Sequence, residues 1–332
     1  MGIIVLCMLI VPAGCGKKPL QEANSVVVYC SVDQEISEPI LAEFEKLSGV
    51  KVLARYDTEA SKTVGLVARI RAESARPLAD VFWSGEPFYT MQLAGEGLLQ
   101  SYTGTATQSW PTQFADPQGR WYAFALRARA IAYNTQKISP DKAPKKLEDL
   151  LDPQWKGRLV MSRPEIGTIS GDVASWFAHY GPQRAKEILQ GLKANGLRLV
   201  DGNSTAVRMV ATGQADVCMT DTDDVYVGKR NGWPIAMNLL DQGGAGCLVI
   251  PNTAGVIQGC PHPEMAAKLM EFLLSERLER LMAQSDAHFY PTHPSVASEF
   301  KAYAIPNPLS QSFQSIADAM PDAVRQAGET LR

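Results

Sequence analysis

Residues 216–225, DVCMTDTDDV, place Asp221, Asp223 and Asp224, with Thr220 and Thr222 among them, directly after an apolar run. Carboxylates this close can hold a hard cation through oxygen, clamp the ammonium or hydroxyl groups of an organic ligand, or simply face water. The spacing is not that of an EF-hand. Counting from Asp221, the third ligand position falls on Val225, the required glycine position on Tyr226, and no glutamate closes the loop. Side chains that alternate along an extended loop point to opposite sides, so at least one of the three aspartates is expected to be solvated surface.

Few other residues offer chemistry by spacing alone. His179, His262, His288 and His293 are scattered without metal-ligand intervals, and His262 sits in a helix-start loop. There is no nucleophile elbow, zincin motif, glycine-rich nucleotide loop or SxxK. The serines, aspartates and histidines cannot be assembled into a triad from their spacing. No catalytic residues are therefore expected, and a secreted enzyme is kept as the rival class. A net charge of −3 and the lack of any Lys/Arg-rich run argue against a nucleic-acid partner.

The elements that must position the aspartates alternate between strand and helix. SVVVYCSV reads as a buried strand, SEPILAEFEKLSG as a helix stopped by Gly49, and VKVLARY as the next strand. A helix from about Ser61 leads to the strand ADVFWS and the helix PFYTMQLAGEG. GRWYAFALRARAIAYN is a long extended segment, able to leave one lobe and enter another. Beyond it come the strand RLVMS, helices over GTISGDVASWFAHYG and GPQRAKEILQGLKANG, the strand LRLVDG, the helix NSTAVRMVATGQ and the strand ADVCMT. WPIAMNLL and GCLVIPNTAGVI read as strands returning to the first lobe, and HPEMAAKLMEFLLSERLERLMAQ as one long helix. Such alternation predicts an α/β fold with a largely parallel, helix-covered sheet.

The amino terminus, MGIIVLCMLIVPAGC, has an apolar run from Ile3 to Val11 that suits a signal-peptide core and is too short to span a bilayer. Ala13-Gly14-Cys15 and the polar linker after it resemble a lipobox, with Pro12 in place of the usual leucine. The expectation is an exported lipoprotein: signal peptide 1–15, Cys15 lipidated, linker 16–24. Cys7 leaves with the signal. Cys30, Cys218, Cys247 and Cys260 form no CxxC pair and read as buried thiols, with a Cys247–Cys260 bridge as the alternative.

Six segments in order carry a resemblance to a known family: VVVYCSVDQEISEPILAEFEKLSGVKV, ADVFWSGEP, GRWYAFALRARAIAYN, DPQWKGRLVMSRP, NSTAVRMVATGQADVCMTDTDD and IPNTAGVIQGCPHPEMAAKLMEFLLS. Over about Ser25 to Arg332 the chain resembles the extracytoplasmic solute-binding proteins of ABC importers, family 1, the group that includes ferric-iron-binding proteins. The resemblance implies a two-lobed type II periplasmic-binding-protein fold, with a mixed, mainly parallel sheet in each lobe and a crossing-strand hinge. It places the N-terminal lobe at 25–126 with 240–305, and the C-terminal lobe at 127–239 with part of 306–332. It also implies a monomer that hands its ligand to ABC permease and ATPase subunits from a membrane-anchored, extracytoplasmic position.

Ligand contacts in such a fold come from strand carboxyl ends and helix N-termini. The candidates are Ser31, Asp33 and Gln34 after the first strand, and Ser84 and Glu86, flanking Gly85, after ADVFW. Thr168 and Ser170 open one helix, Asn203, Ser204 and Thr205 another, and Thr222, Asp223 and Asp224 follow ADVCM. Arg127, on the crossing strand with Arg129, faces a ligand anion or pairs with an interlobe carboxylate. Ferric-iron binders of the family carry adjacent tyrosines where this chain has Thr222 and Asp223, and often a histidine at the place of Asp33. Asp33 and Asp223 are thus the candidate metal ligands, with helix capping as the alternative role for each. The implied cargo is Fe(III) with a synergistic anion. The alternative is an organic anion or zwitterion, such as a phosphonate or sugar phosphate, held between the helix N-termini and the acidic loop. Tyr29 and Trp83 are candidates for core or for stacking, and Tyr290 for the cleft rim.

Overall fold

The computed structural model describes residues 24–58, 61–108 and 110–332. The signal-peptide reading, Cys7, Cys15 and nearly all of the linker lie outside the described residues. No described helix is long and apolar enough to cross a membrane.

The first half of the chain builds β1 (Ser25–Cys30), α1 (Gln34–Ser48), β2 (Lys51–Tyr56), α2 (Val64–Ala72), β3 (Val81–Ser84), α3 (Phe88–Gly95), the short β4 (Leu99–Gln100) and β5 (Tyr122–Asn134). β1 is buried along its whole length, as a continuous apolar run requires when both faces of a sheet are covered. α1 turns Ile40, Leu41 and Phe44 inward; Phe44 meets Phe272 with ring centroids 5.5 Å apart. Burying such a phenyl ring is worth about 2–3 kcal/mol. Gly49 ends the helix at φ +69°, returning its N–H to the Glu45 carbonyl at 2.8 Å, a left-handed turn that glycine makes without strain.

The second half supplies β6 (Leu159–Ser162), α4 (Thr168–Tyr180), α5 (Pro182–Ala194), β7 (Arg198–Val200), α6 (Asn203–Ala211), β8 (Val217–Asp221), α7 (Thr222–Arg230), β9 (Ile235–Leu239) and β10 (Val249–Ile257). α8 (Pro263–Leu273), α9 (Glu276–Gln284), α10 (Pro294–Ala297) and α11 (Phe313–Leu331) follow. The strands run in the order β2-β1-β3-β10-β5-β8-β6-β7, with β4 on β10 and β9 on β5. The outer ladders, β1 with β2 and β3, and β6 with β7 and β8, are parallel. The long strands β5 and β10 run antiparallel to their neighbours, so the sheet is mixed.

β5 is the element the two lobes share. Its residues Tyr122–Ala128 pair with β10, and Arg129–Asn134 pair with β8 and β9. Within the half that pairs with β10, Ala125 takes φ +47°, and the register against β10 shifts at Pro251/Asn252. This is a bulge that bends the strand as it crosses. One apolar core gathers around β1, β3, Trp83 and Phe124, a second around Ile131, Met161, Ile169 and Trp176. α11 covers the second core with Ile316, Met320 and Ala323, packing on α4 and α5.

Three expectations change. WPIAMNLL does not return to the first lobe: as β9 it lies along Ala130–Asn134 of β5, beside the second core. The long helix of residues 262–284 is two helices, because Ser275 takes extended backbone and its hydroxyl accepts the Leu278 N–H, starting α9 afresh. The helix expected from about Ser61 begins at Val64. Cys30, Cys218, Cys247 and Cys260 are all buried and free, so Cys247 and Cys260 are not joined.

Where the lobes meet, Phe88 of α3 sits edge-on to Phe313 of α11, with centroids 6.3 Å apart. Gly171 of α4 lies under the same ring; a Cβ there would come within 2.0 Å of the Phe88 ring. Gly171→Ala is therefore expected to cost about 1–3 kcal/mol by overpacking, measured by chemical denaturation. Phe88→Leu in the same chain should recover part of that loss.

Candidate functional site

A cavity of about 560 Å³, counting its open mouth, lies between the two cores. Ser31 and Asp33 at the end of β1, Lys62 before α2, and Gly85 and Glu86 after β3 line one side. Arg127 of β5 forms part of the floor. The other side is Gly167 and Thr168 at the start of α4, Gly202 and Asn203 at the start of α6, and Asp221, Asp223 and Asp224 at the junction of β8 and α7. Every group but Lys62 and Arg127 sits at a strand's carboxyl end or a helix N-terminus, where backbone N–H groups are unspent.

Asp221 is the fixed point of the site. Its carboxylate accepts from Arg129 Nη1 at 2.7 Å, Arg127 Nε at 3.3 Å, Thr168 Oγ1 at 2.6 Å and Asn203 Nδ2 at 3.0 Å. Burial pushes its pKa up, but Arg129 and Arg127 together hold it below the usual carboxylate range. Arg129 is 1% exposed and also donates Nε to Asp172 at 2.9 Å. Burial raises the Asp172 pKa despite that partner. Both arginines thus pair with carboxylates, and with four donors already on Asp221, little of its lone-pair capacity is left for a ligand. Asp221 was not among the candidate contacts, although it directly follows the strand read as ADVCMT; the structure makes it the last residue of β8.

Asp223 and Asp224 are differently placed. The segment after β8 is not an extended loop; Thr222 begins α7, so both aspartates fall in its first turn, where the helix dipole favours negative charge. The three carboxylates offer oxygens within 4.8 Å of one another, and none is the solvated side chain expected from alternation: Asp221 and Asp223 are buried and Asp224 half-buried. Asp223 Oδ2 lies 3.5 Å from Arg127 Nε, while Oδ1 has no partner. Burial, reinforced by Asp221 and Asp33 and opposed by Arg127, raises the Asp223 pKa to about 6. Burial and the neighbouring Asp223, Asp221 and Asp33 charges push Asp224 well above the usual range, although its Oδ2 accepts the Thr220 hydroxyl at 3.0 Å.

Asp33 stands at the N-cap position of α1 without capping through its side chain. It pairs instead with the Lys62 ammonium. Burial works against it, but Lys62 holds Asp33 below its ordinary pKa. Glu86 is committed to α3, accepting the Phe88 N–H at 2.7 Å and the Tyr89 N–H at 3.2 Å, with the Ser84 hydroxyl at 3.1 Å. Burial nevertheless raises its pKa to about 7.

The structure brings together eight of the fourteen candidate ligand contacts: Ser31, Asp33, Glu86, Arg127, Thr168, Asn203, Asp223 and Asp224. Ser84 and Ser170 are fully buried outside the cavity lining. Gln34 and Ser204 line an adjoining groove, and Thr205 lies on α6 off the cavity. The Thr222 hydroxyl accepts the Ala128 N–H at 3.3 Å and faces a separate recess with Tyr226, His288 and Tyr303. No tyrosine or histidine lines the cavity among the described residues. Tyr29 and Trp83 are core, at 1% and 0% exposure. At the rim it is Phe289, under the Arg127 guanidinium at 5.8 Å, that lines the cavity, because Tyr290 pairs its backbone with Leu126. Lys62 had no sequence signal, being read as part of a helix.

The profile of a family described as bacterial extracellular solute-binding protein matches residues 76–313. The chain is 28% identical to Iron uptake protein A1 of Synechocystis sp. over 316 residues, 87% of this chain and 86% of that protein. It is 26% identical over 249 residues, 73% of this chain and 69% of the other, to a putative 2-aminoethylphosphonate-binding periplasmic protein of Salmonella typhi. Among solved structures, iron-bound HitA from Pseudomonas aeruginosa superimposes with a TM-score of 0.81 at 26% identity, covering 92% of this chain and 99% of that one. The fold is that of the type II periplasmic binding proteins.

Proposed function

Since the chain belongs to the family of bacterial extracellular solute-binding proteins, we propose that it is the lipid-anchored substrate-binding component of an ABC importer whose cargo is ferric iron or an iron–anion complex. The observation that carries the reading is the charge of the cavity. Five carboxylates line it, Asp33, Glu86, Asp221, Asp223 and Asp224, against Lys62 and Arg127. Such an excess in a partly dry cleft is stabilised by a hard, highly charged cation with oxygen ligands. Asp223 and Asp224 from one lobe and Asp33 from the other would supply the oxygens. The N-termini of α4 and α6, opened by Gly167 and Gly202 without side-chain caps, would face the accompanying anion. Closure of the lobes over both ions is the capture step; no bond is made or broken.

Lobe boundaries near residues 126–127 and 239–240 suit this mechanism, because the first falls within β5 as it crosses and the second follows β9. Cys15 would keep the loaded protein beside its permease.

A second reading has one observation in its favour. Lys62, Arg127 and two helix N-termini facing an acidic cluster also suit a zwitterion with phosphonate at one end and ammonium at the other. Native mass spectrometry and calorimetry with Fe(III)-citrate and 2-aminoethylphosphonate decide between them. Binding of the phosphonate alone, with no ferric complex formed, removes iron as the cargo.

Iron capture at this site has a pH dependence of definite sign. In the unliganded protein burial raises the Asp223 pKa to about 6 and pushes that of Asp224 well above the usual carboxylate range, so a cation must displace protons. Affinity is expected to fall as pH drops from about 7.5 to about 5, by roughly tenfold per unit for each proton displaced. Calorimetry in buffers of different ionisation enthalpy should register the released protons; binding without release would contradict the assignment.

A further inference from the structure

The cavity that is meant to receive a cation already contains one. Lys62 supplies the only ammonium group lining it among the described residues, and that group is paired with Asp33. The Lys62 side chain keeps 26% of its surface exposed, so it is not locked in place by packing. Its main chain is held: the Lys62 carbonyl accepts the Gly167 N–H at 3.3 Å, from the residue that opens α4 on the opposite side of the cleft. The backbone just beyond is turned sharply, with Thr63 at φ +69°. The main chain is thus fixed while the charged end of a long side chain reaches into the cavity, where it can change carboxylate partners.

Across the cavity the charge is incompletely matched. Asp221 is spent on two arginines, a threonine and an asparagine. Asp223 is 9% exposed, lines the cavity and has an oxygen with no partner, which sets this carboxylate apart from an ordinary acidic surface cluster. A buried, half-satisfied carboxylate is costly unless a ligand completes it.

We propose that the Lys62 ammonium is a tethered counter-cation for Asp33, Asp223 and Asp224, so that cargo enters by exchange and only a trivalent cation displaces it. A sodium or potassium ion carries the same single charge as the ammonium and lacks its tether, so exchange brings it no electrostatic gain. A small trivalent ion gathers all three carboxylates at once and wins the exchange. Lys62 is thus the residue that sets selectivity by charge. This deepens the cation-capture reading and rests on it.

The test compares Lys62→Met with Lys62→Arg in the full chain, using Fe(III) supplied as citrate, Ca²⁺ and 2-aminoethylphosphonate as separate probes in calorimetry. Lys62→Met is expected to bind ferric ion about tenfold more tightly, the effect of removing one partly screened competing charge, and to bind calcium measurably. Lys62→Arg, which keeps the charge, should do neither. Ferric binding that is weakened or unchanged in Lys62→Met, while the wild type binds iron, overturns the exchange proposal alone. A wild type that takes the phosphonate and no ferric ion, with Lys62→Met weakening that binding, overturns the cation reading and the exchange proposal together.

Discussion

Asp223→Asn is expected to lose ferric affinity by about a hundredfold or more, a larger loss than any other single change in the cleft, while the fold remains intact. Asn keeps the shape of the side chain and removes the charge of a carboxylate that lines the cavity with one oxygen unpartnered. The same change at Asp221 would be ambiguous, because that carboxylate ties β8 to β5, α4 and α6. Asp223 is nearly free of such duties, its only ion pair among the described residues being the 3.5 Å approach of Arg127.

Stability makes the test cleaner. The folded-state pKa of Asp223, about 6, lies above the ordinary carboxyl value of 3.8. The folded chain therefore holds a proton that the unfolded chain releases, and its stability declines as pH rises between these values. Asp223→Asn removes that loss, so at pH 8 the variant should melt no lower than the wild type. A variant that binds iron normally would move the cation site elsewhere; one that melts far below the wild type would make Asp223 a structural residue.

Arg129→Met should produce the largest loss of stability. The guanidinium bridges Asp172 and Asp221, both about 2% exposed, and its removal strands two carboxylates in the interior. Breaking such a buried pair costs about 3–5 kcal/mol, which for a chain of this size lowers the melting temperature by on the order of 10 °C. Most of that penalty comes from the carboxylates left behind. Arg129→Met with Asp172→Leu should therefore recover a large part of it, since Asp221 keeps Arg127, Thr168 and Asn203. A single-variant loss below about 1 kcal/mol would show that water replaces the arginine and that the site is wetter than its burial indicates.

The strand and helix alternation was legible because its punctuation is local: Gly49 stops α1, and β-branched runs mark β1 and β8. The break between α8 and α9 was not, because LLSERL continues the apolar periodicity and the interruption lies in the backbone of Ser275. The location of the cleft followed from strand-end logic, which is a property of the fold. Which side chains turn into it depends on tertiary neighbours. Lys62 meets Asp33 from 29 positions away, and Phe289 displaces Tyr290 at the rim because the backbone of Tyr290 is claimed by Leu126. Asp221 was passed over for a third reason: its importance lies in four partners contributed by three separate segments, β5, α4 and α6.

Four of the six cysteines, those among the described residues, bear on redox chemistry. Burial pushes the thiols of Cys30 and Cys247 up to about 12 and that of Cys260 up to about 11, and raises that of Cys218 as well. A thiol reduces or ligates a metal mainly as its thiolate, and at neutral pH these groups present almost none. Cys30 is fully buried and stands directly before Ser31, which lines the cleft, with its sulfur directed to the Val32 carbonyl. A ferric ion held among Asp33, Asp223 and Asp224 would therefore sit close to a reducing side chain without a thiolate to reduce it, and the cargo would keep its oxidation state in transit.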